Sequence, residues 1–472
     1  MRRLPWLLGC LALIGAPLAA RTWTDTQGRT VEAEFLRAAD GNVTIRREDG
    51  MVFTLSLEQL SPADREFVAQ KGAPDAKPAV PAKPGYEDLN RLLGVPLFAD
   101  DVLWDDTPAD LAKRLGLSPE AQTSYFESYR AYPSTPASVL GTAAYTLSLQ
   151  ALNGRLAGFG VMFTNKGDFP AFKQRTVASQ PPPPAQMQAF EKALADDVAT
   201  LTAKLSSVLG PARKEFPING LNAGHEQLRW DWHGHSLIVV QVHDQYVSLK
   251  IVPPQDTATA ALSYEQVRKL LKTRVTKRDN GDVILDQIPM ITQGPKGYCV
   301  PATFERYLRY VNIPADMYEL AMAGDVGFGG SASPTKLAEG VNRYVNGFGR
   351  HLVRLPINGL NVDSIARYVD EGRPIMWCLS STETFNALSN QLSRERIGIF
   401  DWAAWKQKLL AASATRLEPD TVSNHMCMII GYNRATNELA FTDSWGANFA
   451  ERWVPVALAG RISLNEYWGI DL

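Results

Sequence analysis

"QGPKGYCVPATFERYLRYV", residues 293–311, decides how the C-terminal part of the chain folds. Its glycines and first proline indicate a tight loop, because glycine adopts backbone conformations that other residues avoid. After the cysteine, apolar residues recur at the spacing of an α-helix: Val300, Phe304, Leu308 and Val311. Cys299 is therefore expected at a helix start, where free N–H groups and the helix dipole favour a thiolate. The stretch predicts a nucleophilic cysteine behind a shaped loop.

A thiolate nucleophile needs a partner that accepts and returns a proton. Two histidines follow in this part of the chain, His351 and His425. His425 begins the apolar run "HMCMIIGY", and the next strand-like run, "ELAFTDSWG", carries Asp443 near its end. On neighbouring antiparallel strands, Asp443 could hold the His425 imidazole in one tautomer. We therefore expect Cys299, His425 and Asp443 to form one site.

The motifs "QGPKGYC", "NHMCMIIGY" and "DSWG" together resemble the papain-like cysteine peptidase superfamily. The order of Gln293, Cys299, His425 and Asp443 agrees with that superfamily, as does the six-residue step from the glutamine to the cysteine. The use of Asp in the third role is most similar to the bacteriocin-processing (double-glycine) peptidase branch. Val300 stands where typical members of that branch have glycine.

The resemblance implies a role for each matching residue. Cys299 would attack a carbonyl carbon, His425 would transfer the proton, and Asp443 would orient the imidazole. Gln293 and the Cys299 backbone N–H would bind the oxyanion. The implied substrate is a peptide or a protein, and no metal or cofactor is implied.

Two other functions stay open at this point. Transglutaminase-like or other acyl-transferring enzymes also use a Cys-His-Asp set, and they pass the acyl group to an amine rather than to water. Alternatively, the papain-like domain is catalytically inert, and the protein is a binding or scaffold protein.

The first 20 residues have the pattern of a secretory signal peptide: two arginines, an apolar run and small residues up to Ala20. The apolar run is too short to span a membrane. The segment before Cys10 also resembles a lipoprotein box, but its lead is short. Cleavage after Ala20 is therefore favoured over lipid anchoring at Cys10, and the sequence predicts an exported, periplasmic or extracellular protein without a membrane span.

Residues 21–70 carry turn signals at Asp40-Gly41 and Asp49-Gly50, and an alternating apolar run from Met51 to Leu57. This stretch resembles the SLA homology domain 1 family, small Src-homology-3-like barrels that are common in exported bacterial proteins. The resemblance implies a binding or anchoring module with a protein or cell-envelope partner. Residues 71–85 contain four prolines and are predicted to be a linker.

Residues 86–255 are predicted to form an α+β domain of unknown role. Asn153-Gly154 is typical of a hairpin turn, an amphipathic helix follows "PPPP" at 181–184, and three strand-like runs come after it. With a papain-like α+β domain at 258–472, the chain is predicted to be a multidomain α+β protein. Its formal charge of −2 gives no electrostatic reason to expect a nucleic-acid partner.

Four smaller features leave alternatives open. His233-Gly234-His235 is either a turn with exposed histidines or a metal site, and the absence of other ligands nearby in sequence favours the turn. Cys378 and Cys427 are expected to be buried apolar residues or a cross-strand disulfide, and Cys427 can line the cleft because it shares a strand face with His425. The glycine-rich stretch 324–341 is a loop or a cleft wall, and the insertion at 381–420 is a candidate lid.

Overall fold

The computed structural model of the chain describes residues 20–39, 41–71, 84–173, 181–254, 262–330, 332–399, 401–417 and 423–471. The proposed signal peptide, Cys10 and most of the proline-rich linker lie outside these residues. The described residues up to Lys71, with Glu215–Ile218, form one compact unit, and the other described residues form a second. Within the described residues, no helix is long and apolar enough to cross a bilayer.

The N-terminal module, residues 20–71, is a four-stranded antiparallel sheet followed by one helix. Its elements are β1 (Arg21–Thr24), β2 (Thr30–Ala39), β3 (Asn42–Arg47), β4 (Val52–Ser56) and α1 (Pro62–Lys71). Trp23, Val43 and Ile45 are fully buried in its core. The alternating apolar pattern and the glycine turns of the sequence therefore predicted this sheet correctly.

The middle region, residues 84–254, contains an eight-stranded sheet in the order β11-β12-β13-β14-β10-β9-β6-β5. Its strands are β5 (Ser118–Gln122), β6 (Phe126–Ala131), β7 (Ala137–Val139), β8 (Thr142–Ala144), β9 (Thr146–Leu152), β10 (Arg155–Asn165), β11 (Arg213–Glu215), β12 (Gln227–Trp232), β13 (His235–Val242) and β14 (Tyr246–Val252), of which β7 and β8 form a separate hairpin. Its helices are α2 (Tyr86–Leu93), α3 (Pro108–Leu115), α4 (Pro170–Lys173) and α5 (Pro184–Leu209). The predicted hairpin at Asn153-Gly154, the long helix and the three later strands are all present.

The C-terminal region, residues 262–471, has a sheet in the order β15-β16-β19-β18-β22-β17, with β20 beside β19 and β21 beside β20. Its strands are β15 (Val275–Lys277), β16 (Asp282–Leu285), β17 (His351–Arg354), β18 (Ile375–Ser381), β19 (Ser423–Asn433), β20 (Glu438–Thr442), β21 (Arg452–Pro455) and β22 (Ser463–Asp471). Its helices are α6 (Tyr264–Lys272), α7 (Cys299–Tyr310), α8 (Met317–Ala323), α9 (Pro334–Asn346), α10 (Val362–Val369), α11 (Glu383–Glu395), α12 (Trp402–Ser413) and α13 (Val456–Ile462). The predicted multidomain α+β class is confirmed.

Helix α7 packs directly against β19, and this contact brings the start of the helix to the strand that carries His425. The sequence predicted one apolar face for α7, but every residue from Val300 to Tyr310 is buried. The charged residues among them have polar partners: Arg309 Nε donates to Glu305 Oε1 at 2.7 Å, and Arg306 donates to the Pro289 carbonyl and the Thr442 hydroxyl. Such pairing makes a fully buried helix with charged residues tolerable.

The middle and C-terminal regions share a hydrophobic core within one compact unit. Phe126 of β6, Val240 of β13 and Tyr246 of β14 belong to the same buried cluster as Phe304 of α7. Helix α5 packs on the same sheet through a second cluster. The large sheet is therefore buried on both faces, and one of them supports the C-terminal region.

The described part of the insertion between β18 and β19 does not form a lid. In its described part, α11 and α12 pack against β21 and form a small core of their own with Leu392, Trp405 and Leu409. None of their described residues lines the cleft at Cys299. For the described residues the expectation of a lid is wrong, because α11 and α12 bury apolar residues in this small core and against β21 instead.

Candidate active site

Cys299 is the first residue of α7, and the loop before it holds the thiol at the edge of an open cleft. Its side chain is partly buried. Burial raises the pKa of the Cys299 thiol, but its hydrogen bond with His425 and the charge of that histidine outweigh burial, so the pKa lies below its ordinary value. A cysteine in this environment is prepared to react as a thiolate.

His425 and Asp443 are brought together by the antiparallel strands β19 and β20. Both are largely buried, and His425 Nε2 hydrogen-bonds to Asp443 Oδ1. Because an ionised carboxylate only accepts, this bond places the proton on Nε2 in the neutral imidazole. The other ring nitrogen, Nδ1, is then the one that can exchange a proton with Cys299. The structure thus brings together the three residues that the sequence singled out.

Two residues next to this pair were not anticipated from the sequence. The Trp445 ring stacks on His425, with 4.6 Å between ring centroids and 30° between the planes. Arg452, which is buried, forms an ion pair with Asp443 Oδ2. Trp445 lies in the "DSWG" motif, so a signal for it was present in the sequence, whereas Arg452, nine residues after Asp443, belongs to no motif.

Gln293 lies on the other side of Cys299 and lines the same cleft. Its Nε2 donates to the Lys296 carbonyl at 2.8 Å, and the Ser444 hydroxyl donates to its Oε1 at 2.9 Å. The backbone N–H of Gln293 also donates to the Ser444 carbonyl at 2.9 Å. These three bonds fix the amide, and its second N–H remains available for a substrate oxygen in the cleft.

The cleft has a volume of about 680 Å³, which is large enough for several residues of an extended peptide. One wall comes from the glycine-rich stretch, at Phe328, Gly329 and the start of α9. Phe172 of the middle region stands beside Phe328, with 4.8 Å between ring centroids, and also faces the cleft. Of the two interpretations of the glycine-rich stretch, cleft wall is therefore the correct one.

Cys378 lines the cleft, whereas Cys427 does not, and the expectation for Cys427 was wrong. On β18 and β19, Cys378 stands opposite Met426, and Cys427 stands opposite Trp377. Both thiols are buried and free, so the disulfide alternative is not realised. Burial raises the pKa of both thiols well above the ordinary value.

The histidine pair of the middle region does not have the exposed geometry expected of it. His235 is buried, and only His233 is exposed. The Leu103 N–H donates to His235 Nε2 at 3.1 Å, while His235 Nδ1 lies 3.0 Å from the Trp232 carbonyl. Both ring nitrogens of His235 are therefore engaged. The described residues hold no cluster of three or more His, Cys, Asp or Glu side chains that could bind a metal.

Comparison with known families agrees with this geometry. Residues 285–468 match the Peptidase_C39 like family, and this range includes every site residue named above except Phe172. Residues 15–74 match SLA1 homology domain 1. A search of curated proteins found no match to the chain. The resemblance seen in the sequence is thus confirmed: a papain-like, Peptidase_C39-like domain follows an N-terminal SLA1 homology domain 1 module.

Proposed function

We propose that the protein is an exported cysteine peptidase that hydrolyses peptide bonds through Cys299, His425 and Asp443. The observation that carries this proposal is the series formed by Cys299, His425 and Asp443 at the wall of an open cleft, in which His425 lowers the pKa of the Cys299 thiol and hydrogen-bonds to Asp443. A buried series of this kind lowers the pKa of the thiol and orients the base at the same time.

In the proposed reaction, the Cys299 thiol gives its proton to His425 Nδ1. Cys299 Sγ then attacks the carbonyl carbon of the scissile bond, and the electron pair of the carbonyl double bond moves to the oxygen. When the tetrahedral species collapses, the carbon–nitrogen bond breaks and His425 gives its proton to the leaving amine. A thioester remains on Cys299. His425 then takes a proton from water, the hydroxide attacks the thioester, and the acid leaves as the thiol is regenerated.

Gln293 is the proposed oxyanion donor, together with the backbone N–H of Cys299. The fixed amide of Gln293 supports this role, since a donor held in place before the reaction needs no reorganisation as charge develops on the oxygen. The first turn of a helix also presents N–H groups that no residue within the helix uses.

The decisive experiment uses the mature chain, residues 21–472, with a peptide library and mass spectrometry of the products. Cleavage that disappears in Cys299→Ala, and labelling of Cys299 by an epoxide-type cysteine-protease probe, are the expected results. Adding primary amines separates the alternatives, because an acyl-transferring enzyme would yield amine-capped products. A folded chain that neither cleaves, transfers nor reacts with the probe would instead support an inert binding or scaffold protein.

Export and the role of the N-terminal module are further parts of the proposal. The signal-like pattern of the first 20 residues supports export, and the SLA1 homology domain 1 match supports binding to a protein or cell-envelope partner. Expressing the full chain in a bacterium, fractionating the cells and sequencing the mature N-terminus tests export. A mature protein that begins at Arg21 outside the cytoplasm is expected, and retention of residues 1–20 in the cytoplasm would contradict the proposal.

A further inference from the structure

We propose that the middle region is a permanent part of the catalytic centre, and that Asp168 is a positioning residue that holds the oxyanion loop, residues 292–298, through Lys296. This inference rests on the proposed peptidase function, and it assigns a role to a region that the family comparisons leave unexplained.

A buried ion pair joins the two regions at this loop. Lys296 Nζ lies 3.0 Å from Asp168 Oδ2, and the two side chains are 0% and 3% exposed. Tyr318 binds both partners, since it accepts from Lys296 Nζ at 2.8 Å and donates to Asp168 Oδ2 at 3.2 Å. A buried ammonium is costly without a partner, so Lys296 is confined to the place where Asp168 stands.

Lys296 is also the residue that orients the proposed oxyanion donor. Its carbonyl accepts from Gln293 Nε2 at 2.8 Å and from the Tyr298 N–H at 2.9 Å. The side chain of Lys296 therefore anchors the loop to the middle region, while its backbone directs the amide of Gln293. Displacing Lys296 would turn that amide away from the cleft without touching Cys299 or His425.

The start of the loop has a second attachment to the middle region. Glu120 of β5 accepts from the Thr292 N–H at 2.8 Å. The Tyr132 ring lies so close to Gly294 that an added Cβ would come within 2.7 Å of it, and Gly294 has a φ of +71°. Only glycine fits there, because both the ring and the backbone conformation exclude a side chain.

The end of the loop is attached in the same way. Gly167, next to Asp168, faces the Tyr298 ring, and a Cβ on that glycine would lie 2.6 Å from the ring. The loop is thus held at its start, its centre and its end by residues of the middle region. Among the described residues of the middle region, Phe172 alone lines the cleft.

The test is Asp168→Asn in the mature chain, which keeps the shape of the side chain and removes its charge. We expect kcat to fall by about 10²-fold with KM nearly unchanged, since a misplacement near 1 Å can have that effect. Alkylation of Cys299 by iodoacetamide should keep its rate, because that reaction needs no oxyanion donor. Hydrogen exchange of amides 292–298 should become faster, and this readout does not depend on activity.

Asp282→Asn is the matched control. Asp282 is also a buried carboxylate paired with an arginine, Arg396, at 2.6 Å in the same compact unit, but neither residue touches the oxyanion loop or lines the cleft. The Asp282→Asn variant should lower the melting temperature of the protein while leaving kcat and the hydrogen exchange of amides 292–298 unchanged. If both variants lose stability and only Asp168→Asn loses turnover, a general structural effect is excluded.

Lys296→Met is a second test of the same contact if Asp168→Asn does not fold. The double variant Asp168→Asn/Lys296→Met completes a double-mutant cycle. If the two residues act through one contact, the double variant should lose no more kcat than the worse single variant. Near-normal kcat and loop exchange in Asp168→Asn, or losses that multiply in the double variant, would overturn the inference. Absence of wild-type turnover would instead count against the peptidase, and loop exchange alone would then decide whether Asp168 holds the loop.

Discussion

Arg452 and His425 bind different oxygens of the Asp443 carboxylate: Arg452 donates to Oδ2, and His425 hydrogen-bonds to Oδ1. Asn386 and Asn390 of α11 accept from the same guanidinium at 3.2 and 3.3 Å. The insertion that interrupts the strand pair therefore supports the site indirectly, through Arg452. This arrangement also gives a reason for an aspartate at position 443, because a buried guanidinium needs a carboxylate more than an amide.

Asp443→Asn is the first prediction. Asparagine can still accept from the imidazole, so kcat of the folded enzyme should fall only moderately. The free energy of unfolding should fall by about 3–5 kcal/mol, because Arg452 is left as a buried, unpaired charge. Urea unfolding and steady-state kinetics measure the two effects separately.

The double variant Asp443→Asn/Arg452→Met is the control for this prediction. Removing the guanidinium should restore part of the lost stability, since no unpaired charge remains. If Asp443→Asn is fully stable but inactive, the negative charge on Asp443 itself serves catalysis, and Arg452 is not the reason that an aspartate occupies this position.

The second prediction concerns the thiols of Cys299, Cys378 and Cys427. The pKa of Cys299 is lowered, whereas burial raises the pKa of Cys378 and Cys427. A lowered pKa means that the thiolate persists to lower pH, so alkylation of Cys299 should continue at pH values where an ordinary thiol is slow. Brief iodoacetamide treatment across a pH series, followed by peptide mapping, measures this. In His425→Ala the advantage of Cys299 should be lost, and early labelling of Cys378 would refute the assignment of the nucleophile.

A third prediction follows from the stacking of Trp445 on His425. Removing the ring would open one side of the His425–Asp443 pair to water and weaken their hydrogen bond. Trp445→Ala should lower kcat at least tenfold, while Trp445→Phe should keep most of it because a flat ring still covers the imidazole. Steady-state kinetics of the two variants with the same peptide measures this difference in kcat. Equal losses of kcat would show that the indole does not act by shielding His425 from water.

The sequence was sufficient for the residues whose signal is local. Cys299 follows a glycine loop and opens an apolar helical pattern, while His425 and Asp443 lie at defined places on two successive strands. Gln293 belongs to the same short motif as Cys299. In each case a few neighbouring residues specify both the backbone and the chemistry, which is why the predicted positions agree with the structure.

The contacts that the sequence did not reveal are those between distant segments. Asp168 and Lys296 are 128 residues apart, and although Lys296 stands in the QGPKGYC motif, Asp168 belongs to no motif. Likewise, Arg452 is held by Asn386, which lies 66 residues earlier. His235 is buried by Trp104 and Phe98, which also come from far earlier in the chain. Periodicity reports which face of an element is buried, but it does not report the partner, so the joining of the middle and C-terminal regions was not foreseen.

The fourth prediction concerns the wall of the cleft that the middle region supplies. Phe172 is almost fully buried at the cleft wall and packs on Phe328, so it should hold that part of the wall in place for a substrate side chain. Phe172→Ala should raise KM for good peptide substrates several-fold with little change in kcat, which is the opposite pattern to Asp168→Asn. Phe169→Ala is the control, because Phe169 packs on Phe172 but does not line the cleft. Equal effects of the two variants would indicate general loosening around α4 rather than a specific role of Phe172 in the cleft wall.

The last prediction returns to the oxyanion loop. Because the Gln293 amide is held before the substrate arrives, its contribution should appear mainly in the transition state. Gln293→Ala should lower kcat by about 10²–10³-fold and leave KM nearly unchanged. The loop should keep its shape, since the Gln293 backbone bond to Ser444 and the contacts of Lys296 remain. Iodoacetamide should still alkylate Cys299 at the normal rate.

Ser444→Ala separates the position of the amide from its chemistry. This variant removes the hydroxyl that donates to Gln293 Oε1 but keeps the Gln293 Nε2 bond to the Lys296 carbonyl. The amide is then held by one side-chain bond instead of two, so kcat should fall by less than in Gln293→Ala. The double variant Gln293→Ala/Ser444→Ala should have a kcat no lower than that of Gln293→Ala alone, because the hydroxyl acts only through the glutamine.

A Gln293→Ala variant with near-normal kcat would show that Gln293 only shapes the loop, and the oxyanion would then need another donor.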